Sequence, residues 1–387
     1  METFISEDEI IALLVDLVRI PSVNPPADTQ ECAELILRKL KDEKIDARIV
    51  KGNDRQANVV AKLRGRNNGK TLLLNGHIDV VAPGEDWTMD PFGGEIDDGK
   101  IYGRGTCDMK SGVAAMMAAM IGLKRSGAAF NGEIIFQGVA DEETGSQWGT
   151  VYLLEKGIGK NADFAIVSEP TSLKVATGNR GLRWIDISVK GKACHAGRPH
   201  LGINSVQYAA NLIQAITSMK FESQNDFFEV SSPSISVTTI KGGTKVNIIP
   251  ERCDLAIDRR MMPGETSDSV MKELQQVVDA LLQDENELQV EMNVRSGFWD
   301  PFLTPENEPV VQATLAAVEE VTGTRPEILG KAGCTDASHI FHRGAVPTVI
   351  FGPGNEKLAH MADECVEIEH LVAAVSIFLS IFQKLLG

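Results

Sequence analysis

The chain has 387 residues, 43 % hydrophobic and 24 % charged, the proportions of a globular protein and not of a disordered or collagen-like one. Its 38 basic and 54 acidic side chains leave a formal net charge of -16, which repels phosphate backbones and anionic lipid and argues against nucleic-acid or membrane-surface binding. The six cysteines (Cys32, Cys107, Cys194, Cys253, Cys334, Cys365) show no CxxC spacing and read as scattered reduced thiols of a cytoplasmic protein.

At about 150 residues per domain the length suggests two domains or three. The N-terminal stretch is acidic where a signal peptide would be basic, and residues 6–19 repeat apolar positions at helical spacing. No run is expected to reach the ~20 apolar residues that span a bilayer. The richest is read as Gly112 to Leu123. Strands are predicted over 58–64 and 71–75, then a buried helix over 111–125, a strand over 133–139, a helix near 147–156 and a strand over 163–167. Short apolar strands alternating with helices imply an α/β layer fold around a central sheet.

The pattern changes after residue 178. Residues 182–190 alternate as a half-exposed strand, a helix follows over 204–219, and strands are predicted over 234–241, 244–249 and 253–260. A helix over 266–282 and a strand over 286–294 complete a small α+β sandwich with one open sheet face. Helix 307–321, strand 346–351 and helix 367–384 then resume the first pattern. Residues 1–178 and 294–387 therefore form one domain, with 179–293 inserted into it.

Three common catalytic signatures are absent: HExxH, GxSxG and GxxxxGK[ST]. Five polar clusters stand at predicted strand ends or adjoining loops instead. Gly76-His77-Ile78-Asp79 follows a strand at the end where open α/β sheets place their sites. If that strand continues, His77 and Asp79 share a side, and a carboxylate beside an imidazole can set its tautomer. Gly103 to Gly112 is a glycine-rich loop that delivers Asp108 just before the buried helix. Asp141-Glu142-Glu143 puts three carboxylates where a strand ends, an arrangement that needs a cation or a raised pKa. Ser168-Glu169 and His360-Met361-Ala362-Asp363-Glu364 complete the set. Singly, each has a plain alternative: a polar strand end, a helix cap, a solvated acidic turn. In combination, His77, Asp108, Glu143, Glu169 and His360 supply five N/O donors. That set suits two zinc-like ions, one carboxylate bridging them and positions left for water.

The motifs GHIDVV, GRGTCDMKSG, DEETG, SEPT, HAGRPHLGINS, KVNIIPE and GPGNEKLAHMADE occur in that order over essentially the whole chain. This series resembles the M20 metallopeptidases and deacylases, in particular the acetylornithine deacetylase and succinyl-diaminopimelate desuccinylase branch. The resemblance implies a zinc-peptidase-like catalytic domain with a central mixed sheet, carrying the inserted segment as a lid and dimerisation domain. It implies that His77 binds one zinc and His360 the other, with Asp108 bridging. Glu169 would complete the His77 site and Glu143 the His360 site; cobalt or manganese could replace zinc. Asp79 would orient His77, and Glu142 would be the general base acting on a metal-bridging water. The peptide after the bridging Asp is often cis in this family, which directs attention to Asp108–Met109. In the lid, His195 would stabilise the oxyanion, away from the metals until substrate closes the lid. Asn247 and Arg260 would contact the substrate, with Arg180 as a further contact and Arg259 able to exchange roles with Arg260. Thr335 would line the substrate pocket. Ser111 and Cys194 depart from the family pattern without removing a ligand. The implied reaction is removal of the acyl group from an N-acyl-L-amino acid by a cytoplasmic homodimer. The alternatives are a carboxypeptidase or dipeptidase of the same family, or a metal-bound interaction protein without turnover.

Overall fold

The computed structural model describes residues 4–221, 223–282, 287–295 and 299–387. The chain divides into two compact units. The first comprises Met1–Gly178, Leu303–Gly330 and Thr335–Gly387, the second Asn179–Phe302 and Lys331–Cys334. The second unit thus extends beyond the expected residue 293 and takes in four residues from much later in the chain.

The first unit opens with α1 (Glu7–Val18) and α2 (Gln30–Asp42), then β1 (Asp46–Lys51), β2 (Ala57–Arg64), β3 (Asn67–His77), β4 (Glu95–Asp97) and β5 (Lys100–Tyr102). Next come α3 (Lys110–Ser126), β6 (Asn131–Val139), α4 (Thr150–Glu155), β7 (Phe164–Val167) and β8 (Val175–Asn179). The inserted region supplies β9 (Gly181–Lys190), β10 (Cys194–His195), α5 (Ser205–Thr217), β11 (Ser234–Gly242), β12 (Ile248–Ile249), β13 (Arg252–Met261), α6 (Ser267–Leu282) and β14 (Gln289–Val294). The rest is β15 (Phe302–Leu303), α7 (Pro309–Thr322), β16 (Ile328–Lys331), α8 (Ala337–Gly344), β17 (Thr348–Ile350), β18 (Cys365–Glu367) and α9 (Ile368–Leu386).

Local chemistry starts these elements. At α1, the Ser6 hydroxyl accepts from the Glu9 amide at 3.3 Å and the Glu9 carboxylate accepts from the Ser6 amide at 2.9 Å. This reciprocal cap satisfies two donors that a helix start leaves open. Helix α3 is buried from Lys110 through Gly122 and packs against α1 and α9. Helix α9 corrects the expectation about apolar runs: its 19 residues have the length and apolarity to cross a membrane. Half of that window is buried inside the protein, where Leu371, Phe378 and Phe382 join the core.

Among the described residues the central sheet has nine strands, in the order β1-β2-β6-β3-β7-β17-β8-β15, with β16 paired to β8. Strands β6, β3, β7 and β17 run parallel, whereas β1, β2 and β8 join antiparallel. The sheet is therefore mixed. Register aligns the carboxyl ends of the parallel strands: His77 lies opposite Val139, Asn75 opposite Val167, and Ile350 opposite Val167. Loops leaving those ends converge on one edge, the usual ligand position in open α/β sheets.

In the second unit β11-β13-β9-β14 form an antiparallel sheet. Alternate residues Ile185, Ile187, Val189, Leu255 and Ile257 share a buried cluster with Leu212 of α5 and Leu274 of α6. The strand predicted over 244–249 shrinks to Ile248–Ile249 and pairs with β10 instead of entering that sheet. Gly243, at φ +77, turns the chain out of the strand beforehand. Of the strand predicted over 286–294, residue 286 lies outside the described residues.

Candidate metal centre

His77 ends β3 and is almost wholly buried. Its Nε2 lies 3.0 Å from Asp108 Oδ1 and 3.9 Å from Glu169 Oε1. On the other side, His360 Nε2 lies 3.3 Å from Asp108 Oδ2 and 3.3 Å from Glu143 Oε1. The five side chains thus form two triads, His77–Asp108–Glu169 and Asp108–Glu143–His360, with the donor atoms of each within 4.8 Å of one another. Asp108 belongs to both and turns a different oxygen toward each imidazole.

Each member is held by its own surroundings. Strand β3 stops at His77, so Asp79 lies past the strand end and not on its pleat. His77 Nδ1 meets the main-chain carbonyl of Asp79 at 2.9 Å, while the Asp79 carboxylate is 3.8 Å away. That carboxylate instead accepts from the Glu142 amide (3.3 Å), the Glu143 amide (3.3 Å) and Asn24 Nδ2 (2.8 Å). It therefore fastens the turn Glu142–Thr144, a short 3-10 segment after β6. Behind this turn, Asp336 accepts from Ser146 and, at 2.7 Å, from Thr150, tying the segment to the start of α8 beside Thr335. The Asp108–Met109 peptide is cis. Ser111, the departure next to this loop, is fully buried, and its hydroxyl has no hydrogen-bond partner among the described residues.

Glu169 follows β7, and its neighbour Ser168 is pressed against α3 at Gly112. A Cβ on Gly112 would lie 2.0 Å from the Ser168 carbonyl oxygen, which is rigid backbone. Gly112→Ala is accordingly expected to cost about 1–3 kcal/mol of stability by overpacking. It should also displace Glu169 and weaken metal uptake; urea unfolding and metal analysis check the two effects.

Electrostatics follow from this crowding. Burial pushes the Glu142 carboxyl well above the usual carboxylate range. Burial likewise raises Asp79 to about 6, against the opposing pull of His77. Hydrogen bonding of its ring N–H to the Asp108 and Glu143 carboxylates raises His360 to about 10. Burial alone would lower His77, but the hydrogen bond and charge of Asp108 outweigh it and hold the imidazole well above its ordinary value. The centre therefore draws positive charge to itself. Two imidazoles and three carboxylates at this spacing are a donor set that fits two divalent cations of the zinc, cobalt or manganese type.

The remaining expected residues have surroundings of their own. In the second unit Arg180 is buried and donates to the Ser232 carbonyl (3.0 Å) and to Ser234 (3.1 Å). Arg260 forks onto Asp258 at 2.7 and 3.2 Å, and its Nη1 is 3.9 Å from Cys334 Sγ, which also contacts the Arg180 carbonyl at 3.2 Å. Arg259, one residue along β13, points the other way. It is buried, lies 4.3 Å from the centre of the Phe221 ring and pairs with Glu265 and Glu273, so it is not free to exchange roles with Arg260. His195 and Asn247 are exposed neighbours: His195 pairs with Ile248, and the Asn247 carbonyl accepts from Ala196 at 3.0 Å. Thr335, in the first unit, is buried, and its hydroxyl accepts from the Ala337 amide at 3.2 Å.

Arg104 and Glu364 carry no expected role, although both stand inside motifs that the sequence displays. Glu364 accepts from Arg104 and from the amide of Asp108 itself. Asn24 is likewise a buried support of the centre that no motif marks.

The chain is 33 % identical over 384 residues to the succinyl-diaminopimelate desuccinylase of Cereibacter sphaeroides, covering 96 % of this chain and 98 % of that one. It is 32 % identical over 393 residues to the enzyme of the same name from Cupriavidus necator, covering 97 % and 99 %. In fold it is similar to an M20 family metallo-carboxypeptidase from Sulfolobus solfataricus, with a TM-score of 0.82 at 20 % identity over 98 % of this chain and 99 % of that one. Residues 73–384 match peptidase family M20/M25/M40, and the chain belongs to that family.

Proposed function

We propose that this chain is a dinuclear metal-dependent deacylase that hydrolyses the amide of an N-acyl-L-amino acid, with N-succinyl and N-acetyl diamino acids as its leading substrates. The observation that carries the reading is the pair of triads sharing Asp108, with Glu142 buried beside them. Full-length similarity to desuccinylases, at about a third identity, supports the acyl-amino-acid class. His77, Asp108 and Glu169 would hold one cation and Asp108, Glu143 and His360 the other, with zinc as the default. When bound, such cations acidify water and polarise an amide carbonyl.

The chain's own residues do the rest. Glu142 takes a proton from the attacking water and returns it to the leaving nitrogen. Asp79 holds the Glu142–Thr144 turn and, by its carbonyl, His77. Arg180 and Arg260 supply guanidinium donors for a substrate carboxylate, and Asn247 and Thr335 are further contacts. His195 stabilises the oxyanion. The second unit serves as lid and dimerisation domain. Its edge strand β11, the following turn and β12 expose Ile240, Val246 and Ile248, apolar surface suited to a second copy. Light scattering is expected to give twice the chain mass. Six free cysteines suit the cytoplasm, which cell fractionation checks.

The test is amine release from N-acetylornithine, N-succinyl-diaminopimelate, N-acetylmethionine and several dipeptides, each with zinc, with cobalt and with a chelator. Chelator-sensitive turnover of an acylated amino acid is expected. Activity confined to dipeptides would move the chain to the peptidase side of its family. Two bound metals without turnover on the whole panel would favour the interaction-protein alternative.

A further inference from the structure

A densely bonded carboxylate beside the centre belongs to a residue outside both triads. Glu364 is fully buried. Its Oε1 accepts three main-chain N–H groups, from Gly105 (3.0 Å), Cys107 (2.8 Å) and Asp108 (3.0 Å). Its Oε2 accepts from Arg104 Nη1. Arg104 Nη2 in turn donates to the His360 carbonyl at 3.2 Å and to the Pro83 carbonyl at 3.1 Å, and its guanidinium stacks 5.2 Å from the Trp87 ring centre. The Glu364 carbonyl accepts from the Gly103 amide at 2.8 Å. The segment entering Asp108 and the segment leaving His360 are thereby one hydrogen-bonded block. Three N–H groups and a guanidinium converging on one carboxylate form charge-assisted bonds, stronger than neutral ones.

The two imidazoles depend on this block unequally. His77 ends a central strand and is almost wholly buried, and Glu169 follows the neighbouring central strand. His360 sits on a loop at φ 65 with half of its side chain exposed. Its carbonyl accepts from Arg104 Nη2, while its neighbours Ala359 and Met361 donate to the Glu356 and Leu358 carbonyls of the same loop.

We propose that Glu364 and Arg104 are positioning residues for the second cation: they fix the spacing of His360 from Asp108 and so set occupancy of the Asp108–Glu143–His360 triad, leaving the His77–Asp108–Glu169 triad filled. This rests on the two-cation reading above. Partners behind metal ligands typically change metal affinity by about 10–100-fold when lost, and an effect of that size is expected on one site only.

The experiment titrates metal-free wild type, Glu364→Gln and Arg104→Gln with Mn²⁺ alone. Free ion is followed by electron paramagnetic resonance and heat by calorimetry. Wild type is expected to bind two ions and to show the spin-coupled signal of a dinuclear pair. Both variants should keep the first ion within about threefold, bind the second about tenfold or more weakly, and lose the coupled signal at stoichiometric metal. A merely structural role would weaken both ions together or lower the melting temperature alone; either result overturns the proposal, as does unchanged binding. Wild type that takes up a single ion overturns the two-cation reading itself, and that is seen without any variant. Should Glu364→Gln not fold, Glu364→Asp, which keeps the charge but shortens the reach, carries the same test.

Discussion

Glu142→Ala is expected to bind metal like the wild type and to lose turnover by about 10³-fold or more, at the upper part of the range for a lost general acid–base group. Glu142 lies outside both triads, so its removal takes away no cation donor. Its turn is held through main-chain amides by Asp79 and not through its own side chain, so the turn should survive truncation. The pH profile gives a second readout. A base works only when ionised, and burial raises the Glu142 pKa. Turnover should therefore fall as pH drops through a limb lying above the ordinary carboxylate value of about 4.3, moderated by whatever positive charge the cations add. Residual activity in Glu142→Ala should lack that limb. Retention of more than about a tenth of wild-type kcat, with metal content unchanged, would place the base on another residue.

Much of this molecule is legible from hydrophobic period, and its gaps have physical causes. The period-3.6 pattern of α1, the apolar run of α3 and the alternation of β9 and β13 survive into the fold almost residue for residue. Strand β8 leaves no signal because only Val175 and Ala176 of its five buried residues are apolar, and Thr177, Gly178 and Asn179 read as a turn. Helix α2 buries Cys32, Leu35, Ile36 and Leu40 at helical spacing with charges between them, an amphipathic pattern that the expectations above omit although the sequence carries it. At the centre, the clusters holding the two triads stand out because they interrupt apolar strands with charge. Their supports do not. Arg104 and Glu364 meet across 260 residues, and Asn24 reaches Asp79 across 55, so neither pair leaves a local pattern. Asp79 illustrates the limit of a period argument. Alternation puts it beside the His77 ring only if the strand runs on; the strand ends, and the carboxylate is spent on the Glu142 turn instead. Residues Lys331–Cys334 join the second unit by tertiary contact alone, which no composition shift announces.

The shared carboxylate carries the other large expected effect. In Asp108→Ala both triads lose a donor, and metal content after gel filtration should fall below one ion per chain with turnover undetectable. Charge explains the severity. Two divalent cations held in adjoining triads would repel each other strongly in a partly buried site. Three carboxylates, Asp108, Glu143 and Glu169, stand against that repulsion. Asp108 is the one whose two oxygens face the two imidazoles separately, at 3.0 and 3.3 Å. Asp108→Asn separates shape from charge. It keeps the outline of the side chain, but one of its two ends becomes an NH₂ group, a donor that cannot ligate a cation. That variant should therefore hold about one ion per chain, the cation on the side of the remaining oxygen, and still lose turnover by about 10³-fold, because two-metal chemistry needs both ions. Metal analysis of the two variants side by side distinguishes the cases. One ion in Asn and fewer in Ala is the signature of a bridging carboxylate, whereas two ions retained in Asp108→Ala would mean that the pair is bridged by another group and that the triads do not share their donor.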